Sequence, residues 1–131
     1  GGVIGVTVWE KTVPGGSSPS QIFNQLTKEY GMAEVKFSQP SSFSPEEVQS
    51  LLASHEFKNK ETHRETKETV TANLEEYWEG ILHGVTRIRV MNLDEAMRAR
   101  FKEELFSRLR PLMQPEGLHG FSYVIYSIAQ K

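Results

Sequence analysis

The run Phe121–Ile128, near the carboxyl end of the chain, constrains the fold more than any other stretch of the sequence. Aromatic and β-branched side chains crowd this run, which lacks the polar alternation of a half-exposed strand. Such a composition is typical of a strand covered on both faces. A comparable run, Val3–Val8, lies at the other end of the chain. We therefore predict that the two runs pair as neighbouring central strands of one sheet, with helices packed on both sides.

The bulk properties of the chain exclude several classes of protein. A length of 131 residues predicts a single domain over residues 1–131. The net charge of −2 arises from 15 basic and 17 acidic residues and creates no global field for nucleic acid or an anionic membrane. The sequence contains no cysteine, which excludes disulfides and zinc–thiolate sites. No apolar run reaches the ~18–20 residues of a membrane-spanning helix. We expect a cytoplasmic protein that binds neither nucleic acid nor membrane.

Two helices are predicted between the first strand and the middle of the chain. The first begins at Ser18-Pro19 and ends at Gly31, and the second begins with a capping box between Ser44 and Glu47. The inner face of the second helix is predicted to consist of Val48, Leu51 and Leu52. The loop before the first helix contains Pro14-Gly15-Gly16, which we interpret as a surface loop rather than a phosphate cradle because no nucleotide-binding fingerprint accompanies it.

A strongly charged segment, Lys58–Thr71, follows the second helix. Neither alternate set of its residues is apolar, so it suits the edge of a sheet, where charge blocks unwanted pairing. If Phe121–Ile128 lies between Val3–Val8 and this segment, the last two strands run antiparallel. We predict an α/β fold, or α+β for the isolated chain, with three strands of which the last is central and antiparallel. A helical insert over residues 72–120 precedes the last strand.

The insert is predicted to contain two principal helices. Asn73 caps the first of them, and Asn92 is predicted to cap the second. Gly80 and Gly84 in the first helix suggest close approach by a neighbouring group or a ligand, since glycine costs up to ~1 kcal/mol there. An aromatic stripe at helical spacing favours core packing first and a ligand pocket second. Its members are Leu74, Tyr77, Trp78, Ile81, Leu82 and Val85.

Histidine is the candidate for metal binding or acid–base chemistry. None of His55, His63, His83 and His119 has a metal-ligand spacing to another, so we predict no metal site. Glu79 and His83 form an i,i+4 pair that cannot supply the three or four ligands of a metal site. A general-base role for His83 stays open because this residue adjoins the aromatic stripe, although no orienting partner is visible in the sequence.

Four segments together carry a family resemblance: Gly1–Trp9, Ser44–Phe57, Glu75–Gly80 and Tyr123–Lys131. In this order they resemble the fifth strand, the next helix, a tryptophan-bearing helical cap and the closing strand of a class I S-adenosylmethionine-dependent methyltransferase. More narrowly, the chain is similar to the C-terminal half of the ubiquinone/menaquinone-type and trans-aconitate-type small-molecule methyltransferases. Glu56 departs from the family pattern, which usually has glycine there.

The resemblance implies a fold and a function. The family has a Rossmann-like sheet whose seventh strand lies between the fifth and the sixth. Its cofactor is held in the other half, by a glycine-rich loop and an acidic residue that this sequence lacks. The chain would therefore bind a small-molecule substrate and form its lid, with S-adenosylmethionine bound only when the N-terminal half is present. No catalytic acid or base can be named. The implied substrate-binding residues are Trp9, Tyr77, Trp78, Ile81, Leu82 and His83.

Two alternatives remain. The chain could be a free-standing, non-catalytic binding or dimerisation module in which Val3–Val8 pairs across a two-fold axis. It could also be a non-catalytic interaction protein derived from a methyltransferase. For a fragment, the outer edge of Val3–Val8 would be unpaired and apolar, which predicts self-association.

Overall fold

The computed structural model describes residues 1–11, 18–34, 36 and 42–131, so the predicted Pro14-Gly15-Gly16 loop lies outside the described residues. In chain order the elements are β1 (Val3–Trp9), α1 (Pro19–Glu29), α2 (Pro45–Ser54), β2 (Lys58–Thr71), α3 (Leu74–His83), α4 (Arg87–Met91), α5 (Glu95–Leu109), a 3₁₀ turn (Arg110–Leu112), β3 (Met113–Gln114) and β4 (Gly117–Gln130). The fold thus combines helices and strands, as the sequence predicts.

The strands form an open, four-stranded antiparallel sheet in the order β1-β4-β2, and the short β3 pairs with the start of β4. The register of β1 and β4 runs from Val3 opposite Gln130 to Trp9 opposite Val124. Beyond this register, the Lys131 N–H donates a hydrogen bond to the Gly2 carbonyl at 3.2 Å. The predicted pairing of the two ends is confirmed. The central position of the last strand and the edge position of the charged strand are confirmed as well.

The prediction that Val3–Val8 is a central strand is wrong for the described chain, and so is the prediction that both apolar runs are covered on two faces. β1 lies at an edge of the sheet, and the exposed fractions of Val3 and Trp9 are 69% and 56%. In β4, Val124 and Ile125 are buried, whereas Phe121 is exposed. An apolar composition thus shows that a strand can be buried. Whether its faces are covered depends on which other elements pack against it.

The chain divides into two compact units. The sheet unit consists of Gly1–Val13, Phe37–Glu68 and Phe121–Lys131, and the helical unit of Pro14–Lys36 and Thr69–Gly120. The helical unit contains the predicted insert over residues 72–120 and also α1, which the sequence did not assign to it. The prediction of a single domain over residues 1–131 stays a prediction.

In the sheet unit, α2 packs against one face of the sheet. Ser44 and Glu47 form the predicted capping box, and Pro45 occupies the first turn, so the start of α2 is specified locally. The prediction that Leu51 lies on the inner face is wrong, because Leu51 is exposed. The buried core of this unit consists of Val48, Leu52, Ile125 and Ala129, with Val6, Val8, Phe43 and Phe57 packed around it.

In the helical unit, α1, α3 and α5 enclose an aromatic core. The ring of Phe101 makes edge-to-face contacts with Phe23 and Tyr30, at centroid distances of 5.8 and 5.2 Å. At the surface, the Arg108 guanidinium donates to Glu29 Oε2 at 2.6 Å and to Glu104 Oε1 at 2.8 Å, which ties α5 to α1. The buried members of this core are Phe23, Leu26, Trp78, Ile81, Val90, Phe101, Leu105, Leu109 and Leu118.

The start of α5 differs from the prediction. Asp94, not Asn92, is the N-cap, and its carboxylate accepts a hydrogen bond from the Met97 N–H at 2.8 Å. Asn92 instead ends α4, where its N–H donates to the Ile88 carbonyl. Asn92 and Asp94 can both cap a helix. Asn92 caps the end of the short helix α4, so Asp94 caps the start of α5.

Candidate functional site

Trp9, the predicted substrate-binding residue of the sheet unit, is the last residue of β1. Its side chain is largely exposed, and its carbonyl accepts a hydrogen bond from the Phe43 N–H at 2.9 Å. The next residue, Glu10, has a side chain that is only 8% exposed and forms an ion pair with Arg64. The Arg64 guanidinium also lies 5.5 Å from the centre of the Tyr123 ring. At the carboxyl end of β1 an exposed indole is therefore followed in the chain by a nearly buried carboxylate, which sequence reasoning did not single out.

An open cleft of about 520 Å³ lies on the sheet unit, between the end of β1 and α2. Within it the Lys11 ammonium contacts Glu47 Oε1 at 2.5 Å, and this hydrogen bond lowers the pKa of the Glu47 carboxyl. The cleft contains none of the predicted site residues, and its cation is paired with a carboxylate of the cleft wall. Its lining residues are Lys11, Phe43, Glu46, Glu47, Ser50, Leu51 and Ser54.

Two of the predicted site residues on α3 belong to the core of the helical unit. Trp78 is 5% exposed, and Ile81 is buried beside it in the same cluster. The Trp78 ring lies 6.3 Å from that of Phe101, and the Lys102 ammonium lies 5.8 Å from the Trp78 ring centre. The core-packing interpretation of Trp78 is thus confirmed, while a contact with substrate stays a prediction.

Tyr77 packs against the same core from its margin. Burial disfavours the charged phenolate and raises the pKa of Tyr77 to about 12. The hydroxyl therefore stays protonated near neutral pH and can donate a hydrogen bond. Gly80, on the same helix, has no heavy atom of the described residues within 4 Å of the position a Cβ would take, so no described neighbour requires glycine there.

Leu82 and His83 line a second cleft, which the helical unit forms around α3, α4 and α5. Its volume is about 360 Å³, within the range of ~300–1,000 Å³ typical of small-molecule sites. The His83 ring nitrogen Nδ1 lies 2.7 Å from the Glu79 carbonyl oxygen, which can only accept, so Nδ1 carries a hydrogen and donates it. His83 thus has the orienting partner that the sequence did not reveal. The residues around this cleft are Glu79, Leu82, His83, Arg87, Met91 and Arg98.

Sequence reasoning missed the two arginines of this cleft. Arg98 is held by main-chain oxygens near the end of α4, and its Nη2 donates to the Leu93 carbonyl at 2.9 Å. The Arg87 side chain is exposed and makes no hydrogen bond or ion pair with the described residues. The only signal in the sequence is the density of arginines between residues 87 and 100, and the fold selects which of them share a cleft.

The structure therefore brings five of the six predicted site residues onto one helix and divides them by environment. Trp78 and Ile81 are buried, Tyr77 is marginal, and Leu82 and His83 line the arginine-bearing cleft. Trp9 belongs to the sheet unit. In the part of the chain that the structure describes, no three His, Asp or Glu side chains are grouped to hold a metal ion.

Comparison of the sequence with protein-family models gives no match, and comparison with curated proteins gives none either. Among the described residues, no helix is long and apolar enough to cross a membrane.

Proposed function

We propose that the chain is the substrate-binding and lid portion of an S-adenosylmethionine-dependent methyltransferase that acts on a small organic molecule. The observation that carries the proposal is the strand order β1-β4-β2, in which the last strand lies between two earlier ones and runs antiparallel to β1. The resemblance implies this order for the closing strand of a Rossmann-like methyltransferase sheet. The helices between β2 and β4 occupy the place in the sequence where the resemblance puts the substrate lid.

The cleft of the helical unit does not suit the cofactor, which carries a sulfonium cation. Arg87 and Arg98 would repel this cation there. S-adenosylmethionine would supply the methyl group from the N-terminal half of the complete enzyme. The contribution of this chain is to bind and align the acceptor, because methyl transfer depends strongly on the proximity and orientation of its two reactants.

Titration calorimetry provides the test. The isolated chain should give no heat of binding with S-adenosylmethionine. The complete protein from the reading frame that contains this chain should bind it and release S-adenosylhomocysteine in the presence of a methyl acceptor. Micromolar binding of S-adenosylmethionine to the isolated chain would overturn the division between the two halves. A complete protein that does not bind the cofactor would overturn the methyltransferase assignment.

The hydrogen bonds of β1 favour a second candidate function, a dimerisation module. The Glu10 N–H donates to the Tyr123 carbonyl and the Gly2 carbonyl accepts from Lys131, so the even-numbered residues of β1 bond to β4. Because antiparallel strands alternate, the backbone groups of Val3, Gly5 and Thr7 point away from the sheet. An apolar edge of this kind can pair with a second copy of the chain or with a strand from a preceding half.

Light scattering and a charge substitution separate the two candidates. Thr7→Lys adds a charge to the open edge and should abolish self-association, whereas Thr66→Lys makes the same chemical change on the already charged strand β2 and should not. If the complete methyltransferase is monomeric while the isolated chain self-associates, the edge belongs to the missing half. If the isolated chain itself is a monomer, the dimerisation module is contradicted, and so is the self-association expected from the unpaired edge of a fragment.

A further inference from the structure

We infer that the cleft around α3, α4 and α5 binds an amphiphilic organic acid, a molecule with a carboxylate at one end and an apolar body. This inference names the substrate class of the lid and so rests on the proposed function for its biological role. The binding itself depends only on residues of the helical unit, which are Glu79, Leu82, His83, Arg87, Met91 and Arg98 with their neighbours.

The charges of the cleft favour an anion. Two guanidiniums, those of Arg87 and Arg98, face one carboxylate, that of Glu79. The Glu79 carboxylate lies 3.8 Å from the His83 ring and makes no ion pair with either arginine. Within the described chain, the Arg87 guanidinium makes no hydrogen bond or ion pair, so both of its edges are available. A guanidinium binds a carboxylate through two parallel hydrogen bonds, which a single ammonium cannot match.

Arg98 gives the cleft a fixed positive charge rather than a mobile one. Its Nε donates to the Val90 carbonyl and its Nη2 to those of Met91 and Leu93, at 3.4, 3.4 and 2.9 Å. These acceptors are neutral carbonyl oxygens, so they orient the guanidinium without cancelling its charge. A side chain that is already immobilised loses little conformational entropy when a ligand binds.

Apolar side chains on the same surface favour a ligand with an apolar body. Met91, which lines the cleft, is 42% exposed, and Ile88 is 60% exposed one helical turn before it on the same side of α4. Leu82 contributes apolar surface from α3, and Val85 is exposed in the turn between the two helices. Exposed apolar side chains grouped beside paired cationic groups are typical of a ligand-binding surface rather than of a solvated face.

The test is an NMR titration of the ¹⁵N-labelled chain with octanoate and, separately, with octanamide, which has the same apolar chain without the charge. Octanoate should shift the amide signals of residues in α3 and α4 and of Arg98. It should bind at least about tenfold more tightly than octanamide, the factor that about 1.4 kcal/mol of charge-assisted hydrogen bonding provides. Equal affinity for the two compounds, or shifts confined to other elements, would overturn the inference.

Matched variants assign the effect to the cleft. Arg87→Gln should weaken octanoate binding about tenfold and leave octanamide binding unchanged. Arg100→Gln makes the same change at an exposed position of α5 that does not line the cleft, and should leave both affinities unchanged. Equal effects of the two variants would contradict a specific site. Because octanoate binding needs no cofactor, it can succeed where the cofactor test of the complete protein fails, and the two proposals are therefore distinguishable.

Discussion

The two units differ in how completely they bury their apolar side chains. Among the described residues, the core cluster of the helical unit has nine buried members, and four large hydrophobic side chains of that unit are exposed. The core cluster of the sheet unit has four buried members, while seven large hydrophobic side chains are exposed: Val3, Ile4, Trp9, Leu51, Phe121, Tyr123 and Ile128. The helical unit thus has a core of its own, and the sheet unit presents apolar surface.

This difference identifies the exposed apolar surface beside which the proposed further strand would lie. Exposed apolar side chains that lie together along a strand and its open edge mark an interaction site more often than scattered ones do. Four of the seven, Val3, Ile4, Trp9 and Ile128, lie on the paired strands β1 and β4 within one register. The contrast supports the proposal that a further strand belongs beside β1.

The largest effect on stability is expected when the Phe101 side chain is removed. Phe101→Ala should lower the free energy of unfolding by about 3–5 kcal/mol, because it removes a fully buried ring and its contacts with Phe23 and Tyr30. Leu52→Ala is the counterpart in the sheet unit and should cost about 2 kcal/mol, at the lower end for such a change. Urea denaturation measures both values.

Hydrogen exchange extends this test to each unit. In the Phe101 variant the amides of α1, α3 and α5 should lose protection first, because their side chains form the affected core. A larger loss of stability in the Leu52 variant than in the Phe101 variant would contradict the comparison.

A second test concerns the start of β4, which belongs to the helical unit. Gly117 has a φ of 134°, and a Cβ there would lie 2.3 Å from the Thr71 carbonyl oxygen. Gly117→Ala should therefore destabilise the chain by about 2–3 kcal/mol through strain and overlap. Gly80→Ala, in the open space beside α3, should instead stabilise it by about 0.5–1 kcal/mol, because alanine is the better helix former. The midpoint temperature of thermal unfolding should fall in the Gly117 variant and rise in the Gly80 variant. Shifts of the same sign would contradict the difference in space at the two glycines.

A third, smaller effect is the pH dependence that Tyr77 gives to the helical unit. Burial raises its pKa from 10 to about 12, so the folded state favours the neutral phenol. This contribution is complete below pH 10 and is lost as pH rises to about 12, and it amounts to at most about 3 kcal/mol. Tyr77→Phe should abolish it, so stability should fall less steeply over this interval in the variant. Denaturant titrations across the interval measure the slope, and identical slopes would contradict the burial of this hydroxyl.

The parts of the fold that depend on nearby residues could be predicted from the sequence. The caps Ser18 and Ser44 follow from side chains within one turn, and the bounds of β2 follow from its charged composition; each is confirmed. The pairing of β1 with β4 could be predicted because the chain offers no other comparable apolar runs. The edge position of β1 follows only from the resemblance, as the unpaired edge of a fragment, since the composition of a strand does not say how many neighbours it has.

The candidate site was predictable only in part for the same reason. The stripe on α3 identified Leu82, and His83 adjoins that stripe, but the same periodicity includes Trp78, which the fold buries. Periodicity defines the apolar face of a helix without separating core from cleft. Arg98 reaches the cleft because α5 starts at Glu95 and returns towards α4, an arrangement that no spacing in the sequence reveals.

The hydrogen bond between Lys131 and Gly2 has a consequence for engineering the chain. Since the first and last residues adjoin, a linker of a few residues can join them into a ring, and the ring can be reopened at an exposed loop. Such a circular permutant would begin with a different element yet keep the same neighbours in the sheet, so the order of synthesis and the spatial order of the strands can be varied independently.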